Sequence, residues 1–458
     1  MKIVIFTPAL KASAIGRMAR LVTRELLRLG HDIAVVRSEE EDLHEEETHD
    51  FGVVPIAWND LAAVDALTSR ADLILYQIGD NARYHWGCVE WLHRRPGVVC
   101  LHDYYLGHLF HGWATKHKAG AEQILRHWYG DQVAESFFEL APLPTFIELT
   151  WKAAPLTEWI CSMATGVITH SAWDIDRVRN ACAGPVHVVP LAYDAGSIDD
   201  RPREPHDGDG QGMLNILTVG YVNTNKRAAS IIRAIGSSPS LRSRAVYRLV
   251  GPVHSRMVHE LSALARGCGV RLRISGEVDD VGLSKAFQEA DIVCCLRWPC
   301  LESASASAIE AMLHGKAIVV TDTGFYRELP DQFVTKVIPE DEVATLRSGL
   351  ERLGSSRVLR EALGELGRSW AAKTFTAQNY AGEVIRMVET SARIRPLLEA
   401  SAYFKHVMAS WGSVGVGMGA DSDLLTMFPR VAGAAADRHE HGTDHRVGSA
   451  IDSRFEVP

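Results

Sequence analysis

The sequence predicts an α/β protein made of two Rossmann-like open sheets of parallel strands facing each other across a cleft. Three observations carry this. In both halves of the chain, short apolar runs alternate with helical patterns, as parallel strands joined by crossover helices require. One polar stretch rich in Gly, Pro and Asp, "DAGSIDDRPREPHDGDGQG", interrupts that alternation between Asp194 and Gly212. The length of 458 residues exceeds one ordinary domain and suits two with a tail. The chain therefore divides into a first domain at 1–193, a linker at 194–212, a second domain at 213–393, and a partly disordered tail at 394–458 where apolar periodicity fades.

The first domain opens on the strand "KIVIF". A helix follows through Arg28, with Gly30 as its stop signal. Strands recur at "DIAVV", "ADLILYQ", "GVVCLHD", "TGVITHS" and "VHVVPL". From Tyr104 to Trp159 the chain is helical and aromatic-rich, with no strand signal. The second domain restarts the pattern with "LNILTVG", "VYRLVG", "VRLRISG", "ADIVCCL" and "KAIVVTD", and helices dominate from Glu342 to about Arg393.

Composition narrows the function. A net charge of −9 argues against nucleic acid as partner, because phosphate backbones need concentrated Lys and Arg. The eight cysteines form no CxxC pair and several sit in apolar runs, which points to a reducing, cytoplasmic setting. No run approaches the ~20 apolar residues of a spanning helix. "MKIVIFTPAL" is too short for a signal sequence and reads as a strand. No G-x-G-x-x-G opens either domain, which counts against a dehydrogenase. Asp174 and Asp176 form a DxD inside a helical pattern, and His439, His441 and His445 lie in the tail without cysteine partners. Neither metal nor cofactor is expected.

In open α/β sheets, ligands bind beyond the carboxyl ends of the strands. There the stretch "LESASASAIEAMLHG" places Glu302 just before a helix and Glu310 about two turns inside it. A helix N-terminus offers free N–H groups and a positive dipole end. Ser303, Ala304 and Ser305 are small enough to let a diphosphate approach, and carboxylates on either side suit sugar hydroxyls. The bland alternative, a Ser/Ala-rich helix packed on its sheet, stands equal on this stretch alone. In "YVNTNKRAASIIRAI", Lys226 and Arg227 fall where a helix begins, and cations there oppose the dipole unless they serve a bound phosphate. A solvated pair is the competing reading. Arg297, in "LRWP", is a third cation, or equally the partner of a nearby acid. His102 ends the strand "GVVCLHD". Arg17, Arg20, Arg24 and Arg28 share one face of the first helix, either as a contact for an anionic membrane surface or as a solvated face.

This second half resembles the donor domain of GT-B glycosyltransferases of the family-4 type. The shared features are the Glu-x7-Glu element from Glu302 to Glu310, the "AMLHGKAIVV" that follows, and Lys226 soon after the "VG" strand. "VVPLAYD" and "RELPD", with Glu328, add to the likeness. The resemblance implies transfer of a sugar, with retention and without a metal, from a nucleoside diphosphate sugar to a hydroxyl acceptor. That acceptor is a glycan, a lipid-linked saccharide or a small glycoside, reached in the cytoplasm or peripherally at the inner face of the plasma membrane. It further implies that Glu302, His102 and Lys226 serve catalysis. Glu310 would hold the ribose, and Arg227, Arg297, Ser303, Ala304, Ser305 and Gly16 the rest of the donor. Two departures stand out. Tyr221 occupies the position where many members carry an arginine, and the first loop, "ALKASAIGRM", offers only Gly16. Two other classes stay open: an epimerase or hydrolase that consumes the donor without an acceptor, and a non-catalytic scaffold that only binds it.

Overall fold

The computed structural model describes residues 1–193 and 212–412. The expected linker, apart from Gly212, and the tail beyond Gly412 lie outside the described residues.

The first sheet holds β1 (Lys2–Thr7), β2 (Asp32–Arg37), β3 (Ile56–Ala57), β4 (Leu73–Ile78), β5 (Val98–Leu101), β6 (Gly166–Thr169) and β7 (Val186–Val188). Its order is β3-β2-β1-β4-β5-β6-β7, with every pairing parallel. The second sheet holds β8 (Leu214–Val219), β9 (Ala245–Val250), β10 (Arg271–Ile274), β11 (Ile292–Cys295), β12 (Ala317–Thr321) and β13 (Val334–Val337). Its order is β10-β9-β8-β11-β12-β13, again all parallel. Each domain is thus a doubly wound sheet whose connection reverses beside its first strand, between β1 and β4 and between β8 and β11. Those reversals open crevices at the strands' carboxyl ends.

Helices cover both faces, so central strands are continuous apolar runs: every residue of β4 is buried. Two strands escaped the sequence reading. β3 has two residues. β13 is an edge strand with a partly exposed lysine, Lys336, where an apolar run would otherwise stand. The first helix, Ala14–Arg28, starts at Ser13, whose side chain accepts from the Gly16 N–H, and buries Met18, Ala19, Val22 and Leu26 as one stripe.

The last helix, Ala377–Gly412, continues past Arg393, where the sequence pattern ends the second domain. Pro396 lies inside it and lacks the N–H of a helix interior, which is why the pattern reads as broken there. This helix crosses back to the first domain. Tyr380, Ala381, Val384 and Met387 are buried in one cluster with Cys100, Ile168 and Val189. The Tyr380 hydroxyl donates to Cys100 Sγ at 3.0 Å.

A second junction lies at the cleft. The loop after β11 runs antiparallel along the exit of β5, where the Tyr104 and Tyr105 N–H groups donate to the Leu301 carbonyl at 2.7 and 3.1 Å. The Ser303 N–H donates to the His102 carbonyl at 2.9 Å. The carboxyl ends of both sheets therefore meet at Leu101–Tyr105 and Leu301–Ser303.

Candidate active site

Beyond β8 the chain turns at Gly220, with φ +85°, and Lys226 folds back so that Nζ donates to the Val219 carbonyl. The positive φ favours glycine at this turn, and a Cβ there would stand 2.5 Å from that Nζ, moving the lysine tip. Asn223 caps the short turn Thr224–Lys226 by accepting from the Lys226 N–H at 3.2 Å. Lys226 is 6% exposed. Burial, and then the charge of Arg297, bring its ammonium down to about 7.

Arg297 leaves β11 with its N–H donated to Thr321 Oγ1 (3.0 Å) and Nη1 to the Leu296 carbonyl (2.8 Å). Its Nε lies 3.0 Å from Glu302 Oε1. The Tyr326 hydroxyl donates to the same oxygen at 2.7 Å. Lys226, Arg297 and Glu302 thus act on one another at the exits of β8 and β11.

The helix after Glu302 is shorter than the sequence suggests and runs from Ala306 to Leu313. Ser305 is extended and its Oγ accepts from the Ala308 N–H, so it is the N-cap. Ser303 is committed to the domain junction, with Oγ donating to the Leu101 and His102 carbonyls. Ala304 is half-buried between them. Glu310 consequently sits little more than one turn into the helix. Its Oε2 accepts from the Tyr193 hydroxyl at 2.8 Å. Burial raises its pKa, against the Tyr193 hydrogen bond and the charge of Arg17. Arg17 lies over the Tyr193 ring at 5.7 Å and 3.7 Å from Asp280.

Two of the expected donor ligands have partners within the chain. Arg227 adopts a left-handed conformation (φ +56°) and grips Glu342, with Nε at 2.9 Å and Nη2 at 2.7 Å. The buried Glu342 accounts for a cation at that helix start without a phosphate. Gly16 donates its N–H to Ser13 Oγ at 3.0 Å, and a Cβ there would meet the Pro8 carbonyl at 2.4 Å. Close packing of the first helix explains that glycine. Tyr221 is 58% exposed, so Arg297 rather than this position sets a cation beside Lys226.

His102 reaches the junction from β5. Its Nε2 pairs with Gln77 Oε1 at 2.7 Å, and its ring lies 4.9 Å from that of His170. Burial, His170 and His85 hold the imidazole well below its ordinary pKa, hence neutral. Asp103 beside it is pushed up to about 7 by burial, against the hydrogen bond from the Asp80 N–H and with the charges of Asp80 and Glu302 adding to the rise. Sequence reasoning missed Gln77, Tyr193 and Tyr326 as partners of the three named groups. Their one legible signal is position: Gln77 ends the quoted strand "ADLILYQ" and Tyr193 falls in the quoted segment "VVPLAYD".

Among the described residues, no three His, Cys, Asp or Glu side chains converge as metal ligands would, and no helix is long and apolar enough to cross a membrane. On the arginine face of the first helix, Arg24 pairs with Asp50 and Arg28 with Glu25.

Residues 209–370 match the family model of the glycosyl transferases group 1. Among curated proteins, the phosphatidyl-myo-inositol mannosyltransferase of Mycobacterium tuberculosis is 32% identical over 138 residues, 29% of this chain and 36% of that one. The MMP alpha-(1->4)-mannosyltransferase of Mycolicibacterium hassiacum is 24% identical over 270 residues, 58% of each chain. The match thus spans about a third of the first relative's length and somewhat over half of the second's. Among solved structures, a glycosyltransferase from Rickettsia africae superposes with a TM-score of 0.57 at 12% identity, over 85% of this chain and 98% of that one. Anabaena HepE, in complex with UDP and glucose, gives 0.55 at 15% identity, over 85% and 99%. The shared architecture is GT-B, with two parallel sheets facing a cleft.

Proposed function

We propose that this GT-B protein, whose second domain is of the group 1 glycosyl transferase kind, transfers a sugar from a nucleoside diphosphate sugar to a hydroxyl acceptor. One observation carries the reading: two cations, Lys226 and Arg297, are drawn together in a largely dry site beside Glu302, at the strand exits where the sheets meet. Glu302 balances one of these charges, and burying the second beside it is costly unless a further anion joins them. A diphosphate leaving group supplies that anion, and charge developing on it during transfer is stabilised by fixed cations. Glu310, little more than one turn into the helix that follows Glu302, suits a ribose diol, and Glu302 with the neutral His102 suits the transferred sugar.

With two cations on the leaving group, no metal is needed for that charge, and we infer a metal-independent reaction with retention, the acceptor entering on the face the diphosphate leaves. The phosphatidyl-myo-inositol mannosyltransferase and MMP alpha-(1->4)-mannosyltransferase relatives support a carbohydrate or lipid-linked acceptor. A lipid-linked acceptor would bring the chain to a membrane surface. The pairing of Arg24 and Arg28 with their own acids weakens the first helix as that contact. The eight free cysteines suit a reducing compartment.

The test is calorimetric titration of UDP and GDP, followed by turnover with UDP-glucose and GDP-mannose. Binding of one nucleotide that is lost in Lys226→Ala, with sugar transfer lost in parallel, is the expected result. Equal binding in the variant would remove the phosphate from Lys226.

A further inference from the structure

The exits of β4 and β5 hold a carboxylate–imidazole pair that the donor reading does not use. Asp80 Oδ1 accepts from the His108 and Leu109 N–H groups at 2.7 and 2.8 Å. These begin the helix Gly107–Ala114, whose own N-cap, Leu106, has no side chain able to cap it. Those two bonds explain Asp80 as a borrowed cap. They do not explain the imidazole. Asp80 Oδ2 also meets His108 Nδ1 at 2.6 Å, which fixes the ring and leaves Nε2 as its free nitrogen. The Asp80 side chain is 13% exposed and that of His108 is 51% exposed. Tyr105 and Phe146 hold the ring edge-on at 6.0 and 5.7 Å.

The pair is also continuous with the donor side. The Asp80 N–H donates to Asp103 Oδ2 at 2.8 Å, and Asp103 bridges Glu302 through the backbone. A short chain of contacts therefore leads from the acid of the second domain to an open imidazole nitrogen on the first.

We propose that His108 binds a hydroxyl of the acceptor, a sugar or polyol, by accepting its hydrogen bond at Nε2, and that Asp80 is the positioning residue that holds the ring for it. This rests on the glycosyltransferase reading and adds the acceptor side to it. The ionisable neighbours that act on His108 are Asp80 and Asp103, and both favour the imidazolium. The protonated ring has no acceptor lone pair, so acceptor binding is lost as pH falls through the His108 pKa.

The experiment uses the full chain with 15N-labelled histidine, whose ring shifts report the tautomer. UDP and GDP are first titrated by calorimetry, and the one that binds is kept saturating. Then myo-inositol, methyl α-D-mannoside and methyl α-D-glucoside are added in turn. At a pH above the His108 pKa, the expected result is an unprotonated His108 Nε2 whose resonance moves with at least one polyol. Asp80→Asn should scramble the tautomer and abolish that shift with the nucleotide Kd unchanged. Where a polyol supports turnover, His108→Ala, which keeps the backbone bonds to Asp80, raises its KM about tenfold and leaves the donor KM alone. If a nucleotide binds but no polyol moves His108, the pair is only a helix cap and the inference falls while the donor reading stands. If neither nucleotide binds, the donor reading falls and takes the inference with it.

Discussion

Arg297 Nε lies 3.0 Å from Glu302 Oε1, with the arginine side chain buried at 8% exposure and the glutamate largely so at 25%. Glu302 keeps a second partner, the Tyr326 hydroxyl, whereas the Arg297 headgroup has Glu302 and the Leu296 carbonyl. Removing one member of a buried pair strands the other. Arg297→Met should cost about 3 kcal/mol in denaturant unfolding. Glu302→Gln retains a hydrogen-bonding oxygen for Tyr326 and should cost less, while lowering kcat and leaving nucleoside diphosphate binding intact. A double variant no worse than Arg297→Met alone is the signature of a coupled pair.

Lys226 gives the site a pH dependence. With its ammonium at about 7, the ligand-free protein sheds that proton above neutrality, and a diphosphate must bring it back. Affinity for UDP or GDP should therefore weaken by up to about tenfold per pH unit above 7. Lys226→Met should bind weakly and without that slope. Stability moves the other way. The lysine's folded pKa lies below its ordinary value of 10.5, so the unfolded chain binds the proton more tightly between these values. The ligand-free protein should gain stability as pH rises from 7 toward 10.5. Calorimetry across pH in buffers of different ionisation enthalpy measures the proton uptake; a slope that survives in Lys226→Met assigns it to another group.

Strands buried on both faces are legible because burial forces unbroken apolar runs, and β1, β4 and β12 read that way. β13 does not, because an edge strand tolerates Lys336. Spacing likewise placed Glu302 before a helix, Glu310 inside it and Lys226 soon after a strand, since strand exits and helix starts have local signatures. Partners joined across the fold have none. Tyr193 meets Glu310 across 117 positions and Arg227 meets Glu342 across 115. For Arg227 the dipole argument pointed to a bound phosphate, and the fold supplies a carboxylate from its own chain.

The last helix ties the second domain to the first. Met387 is fully buried, and its Cε would stand 2.8 Å from a Cβ on Gly166, which begins β6. Met387→Ala should cost about 2–5 kcal/mol, the usual range for emptying a core site. Gly166→Ala should also destabilise, by crowding instead of by cavity. Tyr380→Phe, which loses only a weak bond to sulfur, should change little. Chemical denaturation followed by tryptophan fluorescence ranks the three, and an unchanged midpoint for Met387→Ala would detach this helix from the first domain.

Glu310 is occupied. The Tyr193 hydroxyl, from the end of the first domain, holds Oε2 at 2.8 Å, with Arg17 over the tyrosine ring. If a ribose diol takes that carboxylate, one hydroxyl of the diol must displace or share the tyrosine's bond. Tyr193→Phe removes the competitor and keeps the ring beneath Arg17. Nucleoside diphosphate affinity should then rise by about fivefold, the value of one ordinary hydrogen bond. The ligand-free protein should lose about 1 kcal/mol of stability. Glu310→Gln should weaken the same ligand, because an amide oxygen makes a weaker bond to the diol than a carboxylate does. Calorimetric titration of UDP and GDP against both variants separates two roles. Opposite shifts make Tyr193 a competitor that the donor must move. Parallel losses make it the residue that holds Glu310 in its binding pose, and the competitor reading fails.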